Sequence, residues 1–89
     1  MEDKPLRFTR HARRRMRLYG IGREHVEATL AAPQSTTTNE ANGRLEATRR
    51  FPGAFKDMPL KVVYVIEERQ IVVLSAYPLK RTYRRGHEG

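Results

Sequence analysis

The apolar side chains in the first part of the chain recur at helical spacing. Threonine commonly caps helix N-termini, and Thr9 is placed to do so here. Glycine is the residue that most often ends helices, and Gly20 follows the ten residues after the cap. The segment between Thr9 and Gly20 predicts a helix over about residues 10–19. The side chains on its predicted buried stripe are Ala12, Met16 and Tyr19.

A second helix is predicted over about residues 23–32. Ile21 and Val26 have the spacing of a hydrophobic staple around an N-cap at Gly22. Pro33 follows the last predicted turn, which is where a proline commonly marks the end of a helix.

Beyond Gly43 the hydrophobic period changes to two, which predicts β-strands over residues 44–51, 60–67 and 70–77. Glu68-Arg69 is the only break between the last two strands, which predicts a tight hairpin, and a loop of two residues there would fix their register. Both faces of this hairpin are largely apolar, which places it centrally in a sheet with helices on one face and a partner or ligand on the other. The expected pairs are Ile66 with Ile71, Tyr64 with Val73 and Val62 with Ser75 on one face, and Val65 with Val72 and Val63 with Leu74 on the other.

These elements predict an α+β fold in which two N-terminal helices pack on an antiparallel sheet of three to four strands. An additional short strand within residues 5–9 or 34–38 is left open. The 89 residues suffice for one domain, which we place at residues 1–79. Residues 80–89, KRTYRRGHEG, have no apolar periodicity and are predicted to form a flexible basic tail.

The net charge of the chain is +8, and it is concentrated at the two ends. Residues 1–23 carry a charge of +6, residues 24–79 carry −1 and residues 80–89 carry +3. A basic cluster of this kind is typical of proteins that bind polyanions, with nucleic acid as the first candidate.

Several classes of protein are excluded by the composition. The chain has no cysteine, which excludes disulfides and thiolate metal sites. Its three histidines have no metal-ligand spacing, so neither a metal nor another cofactor is expected. No apolar run approaches the roughly 18 residues of a membrane helix, and the N-terminus lacks the apolar core of a signal peptide. We therefore expect a cytoplasmic protein with no membrane partner.

The polar residues that the predicted elements bring near the sheet suit metal-independent cleavage of RNA. This reaction needs a base for the 2′-hydroxyl, an acid for the leaving 5′-oxygen and cations for the charge that develops on the phosphate. The predicted catalytic residues are His11 and Arg15, one helical turn apart at the margin of the first helix, and Lys61 at the start of a strand. Each also has a structural interpretation, as a packing residue or part of a solvated face. The predicted RNA- and phosphate-binding residues are Arg13, Arg14, Arg44, Arg49, Tyr64 and Tyr77.

The order of these residues resembles a known family. Over about residues 6–79, the segments FTRHARRRM, GIGREHVEATLAAP, LKVVYVI and VVLSAYP and the Gly43-Arg44 turn resemble an uncharacterised bacterial domain-of-unknown-function family similar to the RelE/ParE/BrnT group of toxin-like proteins. The H-x-x-x-R-M element is the most specific part. The resemblance implies a compact RelE-like α+β fold, a basic surface for RNA or the ribosome, and an acidic antitoxin-like partner.

Two functional hypotheses follow from the sequence. The first is a toxin-like RNA-binding protein that acts as a metal-independent endoribonuclease in a toxin–antitoxin type system. The alternative is a non-catalytic interaction module that binds nucleic acid or a partner protein through a sheet face or an edge strand. Two apolar sheet faces on so small a domain also favour a homodimer.

Overall fold

The computed structural model describes residues 4–79, which form two helices, five strands and a short 3-10 turn at Phe55–Asp57. The helices are α1 (Arg10–Tyr19) and α2 (Arg23–Ala31). The strands are β1 (Leu6–Phe8), β2 (Ser35–Asn39), β3 (Arg44–Arg49), β4 (Leu60–Ile66) and β5 (Ile71–Pro78). The predicted basic tail lies outside the described residues.

The five strands form one sheet in the order β1-β5-β4-β3-β2. Three neighbouring pairs are antiparallel, whereas β1 runs parallel to β5. The predicted α+β class with two N-terminal helices is confirmed, but the prediction of three to four antiparallel strands is wrong, because the sheet has five strands and is mixed. The two short segments left open in the sequence analysis both form strands. The apolar–polar–apolar alternation of β1 spans only three residues, and β2 is polar and fully exposed, so neither gave a strong strand signal.

Helix α1 begins and ends at the predicted residues. The Thr9 hydroxyl oxygen accepts a hydrogen bond from the Ala12 N–H at 3.0 Å, as an N-cap does. Gly20 closes the helix with a φ of 68°, in the left-handed region that favours glycine. Ala12 is fully buried, whereas Tyr19 is 38% exposed, so the predicted stripe continues only partly into the last turn.

Helix α2 ends at Ala31, one residue before its predicted end. At its N-terminus the Gly22 N–H donates to Nδ1 of His25 at 2.9 Å, so the His25 side chain gives the N–H of the N-cap residue a partner. Ile21 and Val26, the predicted staple residues, are both buried.

The core lies between the helices and one face of the sheet. Helix α1 packs against β5 and β1, and α2 packs against β4 and β3. The buried cluster comprises Ala12, Ile21, Val26, Leu60, Val62, Val73 and Ala76. Burying side chains of the Val and Leu class contributes about 1.5–3 kcal/mol each, which makes this face the main source of stability.

A β-bulge in β5 changes which face of the sheet the side chains after it point to. The pairs Ile66–Ile71, Tyr64–Val73 and Val65–Val72 form as predicted. The other two predicted pairs are wrong, because Val63 lies opposite Ser75 and Val62 opposite Ala76, which leaves Leu74 as the extra residue. As a result Val73 and Ala76 both face the helices and are fully buried. Ser75 and Tyr77 are placed on the opposite face.

The substitution Thr9→Ala tests the anchoring of α1 to β5. The Thr9 hydroxyl also donates to the Leu74 carbonyl at 3.2 Å, so its removal leaves both the helix N-terminus and the bulge without a partner. We expect Thr9→Ala to lower the free energy of unfolding by about 1–2 kcal/mol in urea titrations. Thr9→Ser is the matched control and should retain most of the stability. An equal loss in both variants would assign the effect to the methyl group instead of the hydroxyl.

Candidate functional site

An open cleft of about 720 Å³ lies on the sheet face opposite the core. One wall is the N-terminal half of α1, the other is the turn between β2 and β3, and the floor is formed by β3, β4 and β5. The lining residues are Thr9, His11 and Arg15 on the first wall, Asn39, Asn42 and Arg44 on the second, and Glu46, Val63, Leu74, Ser75 and Tyr77 on the floor.

The α1 wall presents two cationic or ionisable side chains on one helical face. His11 and Arg15 are separated by one turn, which aligns them along the cleft. The Arg15 guanidinium carbon lies 5.0 Å from the centre of the Tyr77 ring, within the range of a cation–π interaction. His11 is exposed and Arg15 is half-buried, so the arginine is held in place while the imidazole stays accessible.

The opposite wall is built from a turn whose polar groups are oriented by the backbone. The side-chain oxygen of Asn39 accepts from the Ala41 N–H, and that of Asn42 accepts from the Arg44 N–H, both at 3.0 Å. Each asparagine therefore has its carbonyl oxygen engaged and its NH₂ group left to donate. Together with the exposed Arg44 guanidinium, this wall offers hydrogen-bond donors to an anionic ligand.

The floor holds an ion pair between Glu46 and Lys61. The carboxylate and the ammonium are 2.7 Å apart, and both side chains are largely buried, with 30% and 20% of their surfaces exposed. Burial lowers the pKa of Lys61, but the hydrogen bond to Glu46 and the influence of Tyr77 outweigh it, so that this pKa lies above 10.5. Lys61 therefore remains an ammonium ion at neutral pH and compensates the charge of Glu46.

Four of the residues predicted for the site come together at the cleft, namely His11, Arg15, Arg44 and Tyr77. Lys61 lies on the same sheet face, opposite Tyr77 in the β4–β5 register. Arg13 and Arg14, which were predicted to bind RNA, are exposed on α1 and lie outside the cleft lining.

Arg49 and Tyr64 lie on the other face of the sheet, beside the core. The Arg49 guanidinium donates to the Ala32 carbonyl at 2.7 Å and lies 5.6 Å from the Phe51 ring, so it holds the C-terminal end of α2. Tyr64 packs against the buried cluster, and burial raises the pKa of its hydroxyl above 10.0. Both positions follow from strand alternation, which pairs these residues with Leu60 and Val73 on the helix side.

The structure adds residues to the site that sequence reasoning did not select. Glu46 was recognisable in principle, because it alternates in phase with Arg44 on β3. Asn39 ends β2, which is polar throughout, and Asn42 lies in the turn that follows, so neither carried a comparable signal. Thr9 was selected only as a helix cap, yet its position at the head of α1 brings it into the cleft.

The described part of the chain offers neither a metal cluster nor a membrane-spanning helix. Within residues 4–79 no group of three or more His, Cys, Asp or Glu side chains is arranged to hold a metal ion. Over the same residues neither helix has the length and apolar character needed to cross a bilayer.

Comparison with known proteins assigns most of the chain to one family. A family model described as a domain of unknown function (DUF4258) matches residues 8–78, which include both helices and strands β2 to β5 completely. No curated protein and no solved structure gives a significant match. The expectation of a domain-of-unknown-function family is confirmed, whereas the similarity to the RelE/ParE/BrnT group stays a prediction.

The substitution Glu46→Gln tests the ion pair on the cleft floor. Because the pKa of Lys61 is raised in the folded state, its contribution to stability is fully present below pH 10.5 and is lost as the pH rises through the folded pKa. We expect Glu46→Gln to lower the free energy of unfolding by about 1 kcal/mol at neutral pH, measured by urea titration.

The matched control is Glu27→Gln, which removes the carboxylate of the more exposed Arg23–Glu27 pair. That change should alter the free energy of unfolding by less than about 0.5 kcal/mol. The difference between wild type and Glu46→Gln should also shrink well above pH 10.5. A difference that persists unchanged there would contradict a contribution from the ion pair.

Proposed function

This chain belongs to the family described as a domain of unknown function (DUF4258), and we propose that it binds RNA in the cleft and cleaves the phosphodiester backbone without a metal ion. The observation that carries the proposal is that His11, Arg15 and Arg44 line one cleft together with Glu46, which is paired with Lys61. This set contains both cations for a phosphate and groups that transfer protons.

The two arginines supply the phosphate-binding part of the proposal. Arg15 projects from α1 and Arg44 from the β2–β3 turn, so an RNA backbone in the cleft passes between two guanidinium groups. A guanidinium binds phosphate oxygens through two parallel hydrogen bonds and stays charged at every physiological pH. These contacts also stabilise the negative charge that accumulates on the phosphate during cleavage.

The proposed reaction is a transesterification within the RNA strand. The 2′-oxygen attacks the adjacent phosphorus, the bond from phosphorus to the 5′-oxygen breaks, and the products are a 2′,3′-cyclic phosphate and a 5′-hydroxyl. Glu46 accepts the proton of the 2′-hydroxyl, and protonated His11 donates a proton to the leaving 5′-oxygen. Histidine is the side chain that ordinarily changes protonation near neutral pH, which suits it to this exchange.

Cleavage of single-stranded RNA by the wild type and by His11→Ala tests the proposal. General acid–base catalysis contributes about 100-fold or more, so His11→Ala should lower the single-turnover rate by at least that factor. Arg15→Ala should lower the rate and weaken binding. Arg17→Ala is the matched control, because Arg17 is exposed on the same helix outside the cleft lining and should leave the rate unchanged.

Three outcomes would contradict parts of the proposal. Equal rates for the wild type and His11→Ala would remove His11 from the mechanism, and loss of activity on chelation of metals would remove the metal-independent reaction. Binding with a steep salt dependence but no cleavage would instead identify a non-catalytic RNA-binding module. An RNA with a single 2′-deoxy substitution at the cleavage site should bind but stay intact.

The RelE/ParE/BrnT resemblance extends this proposal to a toxin-like protein with an acidic antitoxin-like partner. Induced expression in a bacterial host is expected to arrest growth, and His11→Ala at the same protein level is expected to permit it. Co-expression of a small acidic protein encoded beside the gene should restore growth. Equal arrest by the wild type and by His11→Ala would contradict RNA cleavage as the cause.

A further inference from the structure

Arg15 and Tyr77 form a cation–π pair within the cleft. The guanidinium carbon lies 5.0 Å from the ring centre, and both residues line the cleft and are half-buried. Tyr77 is held from below by its place in β5, opposite Lys61. Helix α1 holds Arg15 from the side, so two rigid elements position the pair.

We propose that the Arg15–Tyr77 pair is a platform on which an unpaired nucleobase stacks, so that the substrate is single-stranded RNA. This inference rests on the proposed binding of RNA in the same cleft. Nucleobases stack on aromatic rings and on the planes of arginine guanidinium groups. The face of the Arg15 guanidinium that is turned away from Tyr77 is the surface on which a base is placed.

The planar geometry of a guanidinium allows Arg15 to contact a base and a phosphate together. Stacking uses the faces of the group, whereas all of its N–H donors lie in the plane. A base therefore stacks on Arg15 while a neighbouring phosphate receives hydrogen bonds at the edge. A lysine at this position would keep the positive charge but would provide neither the flat face nor the fork of donors.

A base in a duplex cannot use this platform without leaving its helix. Both faces of a paired base are covered by its neighbours and its edge is hydrogen-bonded, so exposure of one face requires unpairing and unstacking. An unpaired base in a single strand or a loop has a face available at much lower cost. The platform therefore selects single-stranded RNA over duplex RNA of the same sequence.

The phenylalanines and the other tyrosines of the described chain lie outside the cleft lining. Tyr64 packs against the core on the helix side. Phe51, Phe55 and His25 pack edge to face with each other, at centroid separations of 5.0 to 6.0 Å. Among residues 4–79, Tyr77 is the Phe or Tyr side chain in the cleft lining. The imidazole of His11 also lines the cleft, but it is Tyr77 that pairs with the Arg15 guanidinium, which assigns base stacking to this position.

The fluorescence of 2-aminopurine tests the platform, because stacking quenches it. The probe is a short single-stranded RNA that carries one 2-aminopurine and a 2′-O-methyl group on that nucleotide, which blocks cleavage. We expect quenching on titration with the wild type and with Tyr77→Phe, which keeps the ring. Tyr77→Leu and Arg15→Lys should lose most of the quenching and bind about tenfold more weakly. Because Arg15→Lys preserves the charge, its salt dependence of binding should match that of the wild type.

The possible results of this experiment distinguish the base-stacking platform from the proposed cleavage of RNA. Equal quenching in the wild type, Tyr77→Leu and Arg15→Lys, or equal affinity for single-stranded and duplex RNA, would overturn the platform. Cleavage of unblocked RNA without any quenching would overturn it while supporting the proposed function. Quenching that depends on Arg15 and Tyr77 without cleavage would support the platform and remove the nuclease, and failure to bind RNA would overturn both. Circular dichroism of each variant checks that it is folded.

Discussion

The arrangement of the cleft depends on one junction, at which the chain passes from β1 into α1 beside β5. Thr9 makes this junction with three hydrogen bonds: its N–H donates to the Val73 carbonyl at 3.1 Å, and its hydroxyl contacts both the Leu74 carbonyl and the Ala12 N–H. The first turn of α1 is thereby fixed against the middle of β5. The direction of the helix then follows, which brings His11 and Arg15 to the edge of the cleft.

The bulge at Leu74 allows one strand to serve both faces of the sheet. With uninterrupted alternation from Val73, the side chains of Ser75 and Tyr77 would face the helices and Ala76 would face the cleft. The extra residue reverses this phase, so the core receives Ala76 and the cleft receives Tyr77. A bulge leaves backbone groups outside the ladder, and the Thr9 hydroxyl provides the Leu74 carbonyl with a partner. The same hydroxyl therefore stabilises the helix cap and the bulge.

The sequence predicts those parts of the fold in which local chemistry decides the structure. Both helix starts, the end of α1 at Gly20 and the hairpin loop are marked by residues with the expected local preferences. The elements predicted from these residues placed His11, Arg15, Arg44 and Tyr77 near the sheet together. The bulge has none, because Val72 and Leu74 are as apolar as Val73, so either register satisfies the pattern. The polar segment β2 is exposed on both faces and shows no alternation. Arg49 was predicted to bind phosphate, but strand alternation places it on the helix side, where its side chain donates to the carbonyl of Ala32.

The distribution of charge in the cleft gives the two proposals a common physical basis. A carboxylate in a phosphate-binding site is repulsive, yet Glu46 is paired with Lys61, so the floor is close to neutral while Arg15 and Arg44 leave both walls positive. A phosphate is therefore attracted to the walls, and an uncharged sugar or base is tolerated on the floor. In the proposed complex, the 2′-hydroxyl of a bound nucleotide would approach Glu46 while the phosphate charge is held by the arginines of the walls. The proposed transesterification requires the 2′-oxygen to lie in line with the adjacent phosphorus while its proton faces an acceptor, and a base stacked on Arg15 would hold the sugar in that orientation.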